Sequence, residues 1–219
     1  MKTNEQLQKD VQEAIKWEPL LNAAEIGVIV KDGIVTLTGT VDTYGKKSEA
    51  EDAAKNVSGV KAVLEKIEIK SASSFNKTDA DIAKEIISAF KWNWQVPDDK
   101  VKVRVEKGWV NLEGVLEYNY QREAAKNAVI RLIGVTGVSN DITIKSEAAD
   151  AVEKTAIERA LGRNWSINKD DINVNVKGHN VTLTGRVGSI YQREEAGRIA
   201  SNDPGVWSID NELTVAYDD

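Results

Sequence analysis

One short stretch occurs three times in this chain: Gly33-Ile34-Val35-Thr36-Leu37-Thr38-Gly39, Gly108-Trp109-Val110-Asn111-Leu112-Glu113-Gly114 and His179-Asn180-Val181-Thr182-Leu183-Thr184-Gly185. The closing glycines are 75 and then 71 residues apart. Each copy reads as a tight turn leading into a strand with alternate apolar positions. Internal repetition at a fixed period constrains a fold more than any local propensity, because each repeat must build the same supersecondary unit. The chain therefore divides into three related modules, residues 1–74, 75–146 and 147–219.

The residues around each copy supply the rest of the unit. Thr3 and Gln6 have capping-box spacing, and Leu7, Val11, Ala14 and Ile15 share one face of the helix they open. Ile26, Val28 and Val30 alternate as a strand, Asp32-Gly33 turns the chain, and Val35, Leu37, Gly39 and Val41 return on one face. Ala50, Ala53, Ala54 and Val57 mark a second helix that Ser58-Gly59 ends, and Val63, Ile67 and Ile69 form a third strand. Module 2 repeats this order through Ile82, Ile86 and Phe90 to Ile142 and Ile144, and module 3 through Ile157 and Leu161 to Leu213 and Val215. The Ser-rich residues 70–77 read as the linker between modules 1 and 2. Module 3 has the weakest first helix, with Glu153 in the place of Leu7 and Ile82. The expected fold class is α+β: three tandem αββαβ modules, each a three-stranded sheet with two helices on one face. Gly39, Gly114 and Gly185 share parity with the inward residues, so they are expected to face the helices and keep them close to the sheet.

The αββαβ order, the G-x-V-x-L-x-G of Gly108 to Gly114, and the Gly-Val pairs Gly59-Val60, Gly134-Val135 and Gly205-Val206 before the third strands resemble the BON domain, a family of bacterial osmotically induced and nodulation proteins. The resemblance covers essentially the whole chain, in a three-copy form. Copy 3 departs by carrying His179 where Gly33 and Gly108 stand, with its glycine moved to Gly178. What the resemblance implies is a non-enzymatic, transport-associated module linked to phospholipid or membrane-surface binding and to osmotic or envelope stress, without cofactor, catalytic residue or metal.

Composition narrows the function classes. At 41% hydrophobic and 29% charged residues the chain is globular, and the opening Met1-Lys2-Thr3-Asn4-Glu5 reads as a capped helix rather than a leader. No apolar run is long enough to span a bilayer, so a cytoplasmic location is expected ahead of a periplasmic one. The absence of cysteine removes disulfides, thiolate chemistry and lipid-modified cysteines. Residues 1–74 carry 10 basic and 12 acidic groups, 75–146 carry 11 and 10, and 147–219 carry 8 and 13, giving −2, +1 and −5. That balance argues against nucleic acid as a partner and leaves the middle module as the one suited to face an anion.

Chemistry-bearing clusters are sparse. His179, the single histidine, reads as a solvated turn residue. Asp98-Asp99 and Asp170-Asp171 recur at equivalent loop sites, so turn and capping roles outweigh an acid–base pair. Gly134-Val135-Thr136-Gly137 spells the G-x-x-G of a KH loop but joins a helix to a strand. Aromatic residues are more informative. Trp17, Trp92, Trp94 and Trp165 sit where first helices end, either as lids on their own cores or as an aromatic rim for a partner or bilayer interface. Tyr120, Arg122, Tyr191 and Arg193 open second helices, approximated by Tyr44 and Lys46-Lys47, as caps or as a phosphate- or carboxylate-binding surface. Ile29, Ile34 and Trp109 fall out of phase with the core, beside Lys102 and Arg104, so the outer sheet faces of modules 1 and 2 are expected to pack against each other or another subunit, while Asn173, Asn175, Asn180, Thr182 and Thr184 stay solvated in module 3. The function read from these features is phospholipid or membrane-surface association; the alternative is a protein-interaction or homo-oligomeric scaffold using the tryptophans and outer sheet faces.

Overall fold

A computed structural model describes residues 2–70, 77–145 and 152–216. The Ser-rich stretch read as a linker lies largely outside these residues. The first repeat contains helix α1 (Asn4–Trp17), strands β1 (Ile26–Lys31) and β2 (Ile34–Val41), helix α2 (Tyr44–Lys55) and strand β3 (Ala62–Ile69). The second contains α3 (Asp79–Trp92), β4 (Val101–Glu106), β5 (Trp109–Leu116), α4 (Asn119–Ile130) and β6 (Gly137–Ile144). The third contains α5 (Lys154–Gly162), β7 (Ile172–Lys177), β8 (Asn180–Val187), α6 (Ile190–Ser201) and β9 (Ser208–Val215).

Each repeat forms its own three-stranded sheet with the second strand in the centre. The first two strands make an antiparallel hairpin, and the third lies parallel to the second in repeats 2 and 3. A parallel return needs a crossover, and the second helix supplies it. Small residues suit that crossover: Ala50, Ala53 and Ala54 are buried on α2, Ala124 and Ala125 on α4, and Ala196 and Ala200 on α6. First helices contribute larger side chains, Leu7, Val11 and Ile15 from α1 and Ile82, Ile86 and Phe90 from α3. In the second repeat these share one core with the inward strand residues Val110 and Leu112, and the equivalent Val35 and Leu37 of the first are likewise shielded from solvent.

Equivalent hydrogen bonds inside each repeat show how closely the copies correspond. The amide of the residue before the third strand donates to the turn carbonyl in each case: Lys61 to Gly33 at 2.8 Å, Thr136 to Gly108 at 2.9 Å and Trp207 to His179 at 2.9 Å. Thr3 and Gln6 form the expected reciprocal cap, and Thr78 with Asp81 caps α3 in the same way. Glu153 gives α5 no side-chain cap, in keeping with its 9 residues against 14 in α1 and α3.

The hairpin turns explain the shifted glycine. Asp32-Gly33 and Lys107-Gly108 both have two positive φ values, 53° and 80° in one and 52° and 78° in the other, the type I′ pattern that favours glycine second. In the third repeat Gly178 alone is positive, at 62°, the type II′ pattern with glycine first, which frees the next position for His179.

Gly39, Gly114 and Gly185 require a correction. They stand opposite the first residue of the preceding strand, in the pairs Ile26–Gly39, Val101–Gly114 and Ile172–Gly185. Their φ values are 126°, 156° and 134°, and an added Cβ would collide with the carbonyl oxygens of Glu25, Lys100 and Asp171. What excludes a side chain is backbone entering the first strand, not a helix lying on the sheet.

By compactness the chain divides into two units, one of Met1–Gly39, Glu49–Ile67 and Ala148–Asp219, the other of Thr40–Ser48 and Glu68–Glu147. In the second unit, Tyr44 packs against the core of the second repeat. In the first, the Lys55 ammonium lies 3.1 Å from both Glu51 and Glu194 carboxylates. Burial pushes the Lys55 pKa down, but Glu194 and Glu51 together outweigh it and hold the group above the ordinary lysine range.

Candidate binding surface

The helix-end tryptophans do not lid the cores. Trp17, Trp92, Trp94 and Trp165 are 83%, 88%, 86% and 96% exposed. Helical geometry accounts for the first two. Trp17 follows the buried Ile15 by two residues and Trp92 follows the buried Phe90 by two, about 200° around the axis at roughly 100° per residue, so each points away from the core.

Trp94 and Trp165 are presented by a different device. In the sequences Asn93-Trp94-Gln95 and Asn164-Trp165-Ser166, the asparagine side-chain oxygen accepts from the amide beyond the tryptophan, at 3.1 Å and 2.9 Å. This is an Asx turn, and it aims the central side chain outward. The residue after the turn carries the lid function instead, for Val96 and Ile167 are 5% and 6% exposed. The third-repeat turn is held further. Asn164 Nδ2 donates to Glu195 at 2.9 Å, Gln192 Nε2 donates to the Ser166 carbonyl at 2.6 Å, and Arg198 donates through Nε and Nη2 to the two Glu195 oxygens at 2.6 Å each. Trp165 is thus almost fully solvated on a backbone fixed from both sides. Exposing a large aromatic ring on an ordered turn suits a surface that receives a partner.

The second-helix segments serve capping. Gln121 Oε1 accepts from the amides of Glu117 and Tyr118, and Gln192 Oε1 accepts from Gly188. Tyr120, 44% exposed, stacks on Tyr118 with centroids 5.7 Å apart. Arg122 lies 3.5 Å from Glu123, and its carbonyl accepts from Asn140. Arg193 likewise faces Asn211, which receives an Nη2 hydrogen bond on its carbonyl and returns one from Nδ2.

On the outer faces, Ile29, Ile34 and Trp109 keep the expected outward phase and are 60%, 41% and 50% exposed. The half of Trp109 that is shielded rests on its own sheet: the indole lies over Gly137, where a Cβ would collide with the ring, and Nε1 donates to Ser139 at 3.1 Å. Lys102 and Arg104 project from the same face, opposite Glu113 and Asn111. Asn173, Asn175 and Asn180 are exposed, and Thr182 and Thr184 half-buried, on the corresponding face of the third repeat.

His179 is a second correction. It is half-buried, its Nδ1 donates to the Gly205 carbonyl at 2.7 Å, and its ring stacks on Trp207 with centroids 4.0 Å apart and 5° between planes. The signal lay in register: Trp207 stands where Thr136 and Lys61 stand, beside the turn residue in each repeat. Asp170 and Asp171 lie in a 3₁₀ turn capped by Asn168, and Asp98 and Asp99 are exposed in a turn.

A model of the BON domain matches residues 3–71, 78–146 and 149–217. The chain belongs to the BON domain family. The Gly-Val pairs of these BON repeats now have a packing reason, since Val60, Val135 and Val206 are all buried where the second helix gives way to the third strand. This BON protein is similar to osmotically-inducible protein Y of Escherichia coli (strain K12), with 29% identity over 129 residues covering 57% of this chain and 64% of that protein. The match thus spans less than two thirds of the relative's length. Among solved structures, two of CdsD, a structural protein of the Type III secretion system of Chlamydia trachomatis, align at 16% and 15% identity. They cover 95% and 99% of this chain and 92% and 100% of theirs, with a TM-score of 0.26 in each case, too low to carry an argument.

Proposed function

We propose that this BON protein is a non-catalytic binding protein of the osmotic or envelope stress response that associates with phospholipid surfaces through its helix-end tryptophans. The observation that carries the reading is the exposure of Trp17, Trp92, Trp94 and Trp165 on ordered helix ends and Asx turns. Tryptophan is the side chain best suited to the boundary between headgroups and hydrocarbon, because its ring is apolar and its N–H stays near water. Membership of the BON family and similarity to an osmotically-inducible protein support the context. The second repeat carries two of the four rings and a net charge of +1 over residues 75–146, so it leads the association with an anionic surface.

Co-sedimentation with phosphatidylglycerol vesicles tests this. Binding at low salt that weakens with added salt, and that a Trp92→Ala/Trp94→Ala double variant abolishes, is the expected result. A protein that stays in the supernatant at low salt refutes it. A second reading, self-assembly through the outer faces, is favoured by Ile29, Ile34 and Leu64, which are 60%, 41% and 50% exposed on the first sheet. Concentration-dependent oligomers in light scattering would support that reading, and a monomer at all concentrations would remove it.

A further inference from the structure

The third repeat is the most acidic, with 8 basic against 13 acidic residues over 147–219, yet three of its cations line one groove. The groove, about 610 Å³, runs along the end of α5 and is bordered by Thr155, Glu158, Arg159, Gly162, Arg163 and Lys169. Arg159 and Arg163 stand four residues apart on one helical face, where like charges repel. Arg159 Nε donates to the Thr155 carbonyl at 3.2 Å, which orients its guanidinium and leaves the terminal nitrogens for another acceptor. Lys169 arrives from the following 3₁₀ turn, its stem lying over Gly162, where an added Cβ would stand 3.1 Å from Lys169 Cδ. The one carboxylate in the groove, Glu158, is engaged by Lys154 at 3.5 Å. Arg163 and Lys169 make no ion pair among the described residues.

The negative end of the helix dipole favours cations in the last turn of α5, which accounts for the arginines. It does not account for Lys169, supplied by a different element to the same groove. Arg159, Arg163 and Lys169 thus bring three cations from two elements to one groove, against the single carboxylate of Glu158, which Lys154 shares.

We infer that this groove binds a phosphate group. The three terminal oxygens of a phosphate monoester, with more than one negative charge, match two guanidinium forks and an ammonium, a set that a single carboxylate would leave partly unused. The phosphate comes either from a soluble compound or from a lipid headgroup. In the headgroup case the inference rests on the bilayer reading above, and Trp165, two residues from Arg163, enters the interface alongside.

The experiment uses the full chain, an Arg163→Gln/Lys169→Gln double variant and a Trp165→Ala variant. Pyrophosphate is titrated calorimetrically, and phosphatidic acid vesicles are compared with phosphatidylcholine vesicles in flotation. All three proteins are expected to melt alike, since the substituted residues are exposed. The double variant is expected to bind pyrophosphate or phosphatidic acid vesicles about tenfold more weakly or worse than wild type. A difference in the pyrophosphate arm identifies a soluble ligand; a difference confined to phosphatidic acid identifies a headgroup. Equal binding by wild type and double variant in both arms, or no binding of either probe by wild type, overturns the inference. Loss of flotation in Trp165→Ala with an unaltered double variant leaves the bilayer reading standing and removes the phosphate site.

Discussion

Gly185→Ala should destabilise the third repeat well beyond Gly178→Ala, although the two glycines share a hairpin and a positive φ. Gly185 sits at 134° and Gly178 at 62°, so an alanine at either pays for a backbone conformation that L residues rarely adopt, about 1–3 kcal/mol. The surroundings differ. A Cβ at Gly178 has nothing within 4 Å, whereas at Gly185 it falls inside 3.0 Å of the Asp171 carbonyl oxygen, backbone that cannot rotate aside. Relieving that overlap means shifting the chain as it enters β7, an overpacking cost of about 1–3 kcal/mol on top of the strain. The difference between the variants should therefore be about 1–3 kcal/mol, or a melting difference of at least about 4–8 °C for a domain of this size. Thermal melts followed by circular dichroism give the magnitude, and amide hydrogen exchange in β7 and β8 places it in the third repeat. If the two variants melt together, the carbonyl contact is not what excludes a side chain. If Gly185→Ala is mild and only a larger residue is destabilising, the limit is helix-to-sheet spacing after all.

Two further outcomes follow from the electrostatics and the outer faces. Lys55 has a raised folded pKa, so its pairs with Glu194 and Glu51 stabilise below the unfolded lysine value near 10.4 and lose that contribution as pH rises through the higher folded value. Lys55→Gln should thus lower stability by under about 1 kcal/mol at neutral pH, given an exposed Glu194 partner, and urea melts should show the gap to wild type closing at strongly alkaline pH. Gly137→Ala should push the Trp109 ring off the sheet and break its bond to Ser139, seen as faster solvent exchange of the Trp109 indole N–H in NMR spectra; an unchanged exchange rate would mean that Gly137 does not seat the ring.

The core was legible because it obeys two short periods. Val35 and Leu37, Val110 and Leu112, Val181 and Leu183 alternate into the interior, and Leu7, Val11 and Ile15 recur at helical spacing, so local pattern and tertiary burial agree. Effects that depend on what lies across from a residue were not legible. The closing glycines have the parity of core residues, and only the register with Ile26, Val101 and Ile172 reveals the carbonyl that crowds them. His179 has no sequence neighbour to stack on; Trp207 reaches it from 28 positions away through strand pairing. Asn4 and Asp79, unremarkable in sequence, accept from the turn amides of Asp32 and Lys107 and tie each first helix to its hairpin. The tryptophans fall between these cases: the 200° argument that exposes Trp17 and Trp92 needs only the helix phase, while Trp94 and Trp165 depend on an Asx turn whose asparagine stands next to them in the sequence.

Alignment of the repeats shows that the exposed rings are not copies of one residue. Trp17 corresponds to Trp92, and Trp94 to Trp165, while Pro19 and Arg163 fill the remaining places in the first and third repeats. A residue required by the fold would be needed at the same site each time, as Val60, Val135 and Val206 are. Instead every repeat keeps at least one exposed ring at the end of its first helix while changing which of two positions carries it. Packing therefore does not fix a ring at either position, as the proposed binding rim requires. The same substitution that takes one ring from the third repeat, Arg163 for tryptophan, places a cation in the groove with Arg159 and Lys169. The second repeat, with both rings, and the third, with one ring and three cations, are thus equipped for different shares of apolar and ionic contact.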